Sequence, residues 1–155
     1  MGLFNRTANS TANATLNPET GPLKLTVTEA FTAVLTTAMA ADGYATEEEL
    51  RLMRDDLFSM QLFKALDEEE RLHMLDRVLK LVQTPGPEVL LTSAPALLSP
   101  ELRETAFAMA ADIVTSDGSI AVEETAYLEQ LQAALEIPTE LAELLIKAMT
   151  IKNRG

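Results

Sequence analysis

The chain has 155 residues, enough for one domain with a true core, and it carries 24 acidic against 12 basic side chains, a formal charge of −12. Nucleic acid and anionic membrane surfaces need clustered Lys and Arg, so both are poor partners, whereas cations and proteins with basic surfaces suit the charge. The sequence has no Cys, which removes disulfide and thiolate chemistry and fits a reducing cytoplasm.

Residues 1–22, rich in Asn, Thr, Ala and Pro with little to bury, are expected to form a flexible leader. The stretch has no apolar signal-peptide segment, and Arg6 breaks the myristoylation pattern. The Asn-x-Ser/Thr triplets at Asn5, Asn9 and Asn13 then carry no meaning for a chain that stays in the cytoplasm. Residues 23–155 are expected to form one all-α domain. Hydrophobic residues make up 47% of the chain and aromatics 5%, a balance that favours close-packed helices over a β-sandwich.

Thr26 with Glu29 forms a capping box that opens an apolar helix ending at Asp42-Gly43. Thr46 with Glu49 opens the next, whose Leu50, Met53, Leu57 and Met60 keep helical spacing. Asp67 and Glu70 start a third, with Leu72, Leu75, Val78, Leu79 and Val82 as its apolar stripe. "QTPGPE" breaks the chain before a short helix beginning near Pro87. Ser99 and Pro100 start a helix that runs to Asp117-Gly118, a partner follows it, and a last helix begins near Pro138. The pattern predicts an all-α bundle of about seven helices, and no window approaches the roughly 20 apolar residues of a membrane span. The two helices that enter the Asp-Gly turns are rich in Ala and apolar nearly all round, as central helices of a bundle are.

Those turns belong to near copies, "ADGYATEEE" at Ala41–Glu49 and "SDGSIAVEE" at Ser116–Glu124, 75 positions apart. The repetition predicts two related halves, each helix, Asp-Gly loop, helix. Helix punctuation accounts for Gly43, Gly118, Thr46 and Glu49, but less readily for Glu124, because Ala121 stands where a capping Thr would. The alternative is metal chemistry. Asp-Gly-x-Ile-x-x-x-Glu is the second half of a calcium-loop pattern, met by Asp117, Gly118, Ile120 and Glu124, and by Asp42, Gly43 and Glu49 with Ala45 for Ile. The first half is missing from both copies, so neither is an EF-hand. Two half-sites brought together would supply four carboxylates, Asp42, Glu49, Asp117 and Glu124, with Glu48, Glu123 and Asp112 nearby.

The layout from Leu23 to the C-terminus resembles the tellurite-resistance TerB-like family: an Ala-rich helix, an Asp-Gly turn with trailing acids, a second such unit and the closing "LEIPTELAELLIKA". The resemblance implies an all-helical fold of two related halves, no enzymatic activity, and a part in tellurite resistance and stress responses. It also implies one or two divalent cations held by acidic residues of the repeats, which map here onto Asp42, Glu49, Asp117 and Glu124. Ca2+, Mn2+ and Zn2+ are the candidate ions. A second expectation is an acidic interaction module without metal, akin to the helical region of membrane-anchored co-chaperones, docking partners with basic surfaces.

Catalytic constellations are thin. His73, the one histidine, is expected on a solvent-facing helix position, which leaves no basis for a nucleophilic triad or a nitrogen-rich zinc site. No Gly-rich phosphate loop is present, and the seven Met residues read as core fillers.

Overall fold

The computed structural model describes residues 23–155 apart from Asp42 and Tyr44, so the expected leader, residues 1–22, lies outside the described residues. Among the described residues seven α-helices follow one another: α1 (Val27–Ala40), α2 (Glu47–Ser59), α3 (Glu68–Gln83), α4 (Pro87–Ser93), α5 (Pro100–Val114), α6 (Val122–Ala134) and α7 (Thr139–Lys152). Short 3-10 turns at Gln61–Phe63 and Pro95–Leu97 join α2 to α3 and α4 to α5. No strand occurs among the described residues, and the fold is all-α.

Local chemistry starts the first three helices as their sequences require. At α1, α2 and α3 the N-cap side chain accepts from the backbone of Glu29, Glu49 or Glu70, and that glutamate reaches back to the cap's own N–H. Ser99 caps α5 through the Leu102 N–H at 3.2 Å, with Pro100 in the first turn.

Helix α1 lies at the centre, packing most extensively on α5 and also on α3 and α4, while α5 carries α6 and α7 on its other sides. Ala30, Phe31, Val34 and Leu35 of α1 and Ala106, Phe107, Ala110 and Ala111 of α5 are fully buried. The burial of Thr32, Thr36 and Thr37 in α1 leaves no polar group stranded, because each hydroxyl donates to a carbonyl one turn back, at 2.7–3.0 Å. In α3 the core face holds Met74, Leu75 and Val78, and Leu72 is 46% exposed. The expected stripe thus begins one turn too early. The first turn of α3, Glu68–Glu70, is acidic and exposed, and it carries Leu72 out with it. His73 is exposed, as its position beside the stripe suggests.

Candidate functional site

The second Asp-Gly turn is built by its own side chains. Gly118 adopts φ +83°, a region that favours glycine, and its N–H donates to the Thr115 carbonyl at 2.9 Å. Asp117 Oδ1 accepts from the Ser119 N–H at 2.9 Å and from its hydroxyl at 3.2 Å, which gives an aspartate before the glycine a structural purpose. Glu124 follows at the third position of α6, where its Oε2 accepts from the Ala121 N–H at 2.7 Å. This arm of a capping box needs only the backbone of residue 121. Ala121 offers no side-chain oxygen, yet Glu124 caps the helix, so helix punctuation reaches further than the missing Thr suggests.

In the first copy Gly43 also has positive φ, at +121°, and donates to the Ala40 carbonyl at 3.1 Å. Glu49 Oε2 accepts from the Thr46 N–H at 2.7 Å and from its hydroxyl at 3.0 Å. Asp42, the fourth predicted ligand, lies outside the described residues.

Glu49, Asp117 and Glu124, from two segments far apart in sequence, line one cleft of about 300 Å3. Its apolar wall includes Leu35, Met39, Met53, Met109 and Ile113. Asp56 and Asp112 add two more carboxylates, and Lys152 brings the sole basic side chain among the described lining residues. Of the acids expected nearby, Asp112 is present, while Glu48 and Glu123 are not part of the lining. Glu48 is instead paired with Arg51 at 2.7 Å on the outer face of α2, and that hydrogen bond and charge hold its carboxyl below the usual range. Asp56 is a residue the sequence reading missed. Its signal is the seven-residue step from Glu49, two turns along the same helix face.

The charges in the cleft are unevenly balanced. Asp112 accepts from the Lys152 ammonium through both oxygens, at 2.8 and 2.9 Å. Glu124 is only 8% exposed, and no basic side chain among the described residues pairs with it. The comparison is Glu29, the other buried acid, at 9% exposure, which plays the same capping role in α1 and is ion-paired with Arg77. Burying a carboxylate without a counter-charge is costly.

The donor set is all oxygen and fits a hard divalent cation better than a nitrogen- or sulfur-seeking one. As these side chains stand, no three His, Cys, Asp or Glu among the described residues group closely enough to hold a metal ion. No described helix is long and apolar enough to cross a membrane. Comparison with protein-family models, with curated proteins and with solved structures found no match to this chain.

Proposed function

We propose that the chain is a non-enzymatic, cytoplasmic TerB-like module of the tellurite-resistance and stress-response type, which binds a divalent cation at its acidic cleft. The observation that carries this reading is the buried Glu124 carboxylate, which lacks a described cationic partner and shares its cleft with Glu49 and Asp117. Two related halves are part of the proposal. Helices α2 and α6 each span 13 residues, and they start at Glu47 and Val122, 75 positions apart. Each follows a positive-φ glycine and has a glutamate returning to its N-cap backbone. The reading asks Glu49 and Asp117, both exposed, to rotate toward Glu124, and asks Asp42 to complete the set. Such an ion would supply the counter-charge that Glu124 lacks.

Thermal-shift titration of the full chain with Ca2+, Mn2+ and Zn2+ tests the proposal. At about 100 times the dissociation constant, a bound ion stabilises by about 2.7 kcal/mol, several degrees in Tm for a chain of this size. Glu124→Gln should abolish the response. Glutamine still caps the helix, so that loss would report the charge rather than the turn. No stabilisation by any of the three ions would sink the proposal.

The apolar wall of the cleft, with Leu52 half exposed at its edge, favours a second reading: an interaction module that takes an apolar side chain flanked by Lys or Arg. That reading expects a Lys/Leu amphipathic peptide to bind in the presence of EDTA. Failure of the peptide to bind would remove it.

A further inference from the structure

We infer that the cleft is the docking site of the chain's own N-terminal segment, with Leu3 and Phe4 entering its apolar wall and Arg6 meeting its acidic edge. The inference rests on the second reading above, a cleft that takes an apolar side chain flanked by a basic one. Met39, Met53 and Met109 come from α1, α2 and α5 to line the cleft, beside half-exposed Leu52. Methionine adapts its shape to varied apolar guests. A cavity of about 150 Å3 can hold a benzene ring, so the cleft's roughly 300 Å3 admits the Phe4 ring and the end of Leu3. At the edge, Asp112 is already covered by Lys152. Glu49, Asp56 and Asp117 are exposed and pair with no basic side chain among the described residues.

The N-terminal sequence supplies the matching chemistry in one place. Residues 1–22 carry a single basic side chain, Arg6, and a single acid, Glu19. Their large apolar side chains are Met1, Leu3 and Phe4, next to that arginine, and Leu16. Residues 7–22 remain as a tether. Leu23 packs on the core and the Lys24 carbonyl accepts from Arg77 at 3.1 Å, which fixes where the tether meets the bundle, beside the start of α1. The cleft lies toward the other end of α1, whose 14 residues span about 21 Å. A tether of 16 residues has a root-mean-square reach of roughly 20–24 Å and a limit of about 55 Å. Reach matches span, the condition under which a tethered ligand is most concentrated at its site.

The test uses the full chain with 13C-methyl methionine, in EDTA. Phe4→Ala should move the Met39, Met53 and Met109 methyl resonances, which lose an aromatic neighbour, and leave Met60 and Met74, which do not line the cleft, in place. Leu16→Ala should move none of the five. A Lys/Leu amphipathic peptide should bind Phe4→Ala about tenfold more tightly than wild type, as an effective concentration of about 1 mM competes with an intrinsic dissociation constant of about 0.1 mM. Cleft methyls unmoved by Phe4→Ala, or moved equally by Leu16→Ala, would overturn the inference. Peptide binding of equal strength to wild type and Phe4→Ala would also overturn it and would leave the second reading standing. Unmoved methyls with no peptide bound to either chain would overturn both. An equal amount of unlabelled wild type added to labelled Phe4→Ala should leave its spectrum unchanged; a return to wild-type shifts would mean that a second copy fills the cleft, against the inference.

Discussion

Glu29, Glu49, Glu70 and Glu124 occupy one local position, the third residue of a helix, and each returns a carboxylate oxygen to the N-cap backbone. At α1, α2 and α3 the reciprocal arm is also made, by Thr26, Thr46 and Asp67. Only at α6 is it missing, because Ala121 has nothing to offer. Ala121 is exposed and already holds the extended backbone of an N-cap, at φ −73° and ψ 164°. Ala121→Thr should therefore complete the box and stabilise the fold by about 1 kcal/mol, measured as a higher urea midpoint at unchanged slope. These caps were legible in the sequence because they involve residues three apart. The burial of Glu124 was not, since a cap pattern says nothing about what packs over it.

The tie between α6 and α1 belongs to the scale of elements. Tyr127 of α6 is buried, its hydroxyl donates to the Val34 carbonyl at 3.0 Å, and it sits 3.0 Å from the Thr37 hydroxyl. Burial holds the phenol proton well beyond the usual tyrosine range, with the Thr37 hydrogen bond opposing the shift. In the unfolded chain a tyrosine releases its proton near pH 10. Above that pH the folded form keeps a proton the unfolded form has lost, so stability falls as pH rises, by up to about 1.4 kcal/mol per unit from this group. Tyr127→Phe should cost about 1 kcal/mol near neutrality and should flatten the decline above pH 10, as followed by urea unfolding at a series of pH values. Their Ala-rich, nearly all-round apolar sequences marked α1 and α5 as central helices. Sequence alone could not reveal that a phenol from α6 would reach the α1 backbone, because the contact spans 93 positions.

For the whole molecule, the all-α architecture followed from capping boxes and 3.6-residue periodicity, both local signals. The cleft did not. Glu49 and Asp117 share it because α1 and α5 pack side by side and bring their C-terminal ends together, a matter of tertiary packing. Lys152 meets Asp112 from 40 positions away, beyond the reach of any local pattern. With a formal charge of −12, the molecule attracts cations generally, so the central claim concerns place rather than affinity alone. Paramagnetic broadening of amide resonances by sub-stoichiometric Mn2+ tests place directly. The account predicts broadening centred on Thr46–Glu49, Asp112–Glu124 and Lys152–Asn153, and its loss in Glu124→Gln. Broadening spread over exposed acids such as Glu68–Glu70, or broadening that persists in Glu124→Gln, would contradict it.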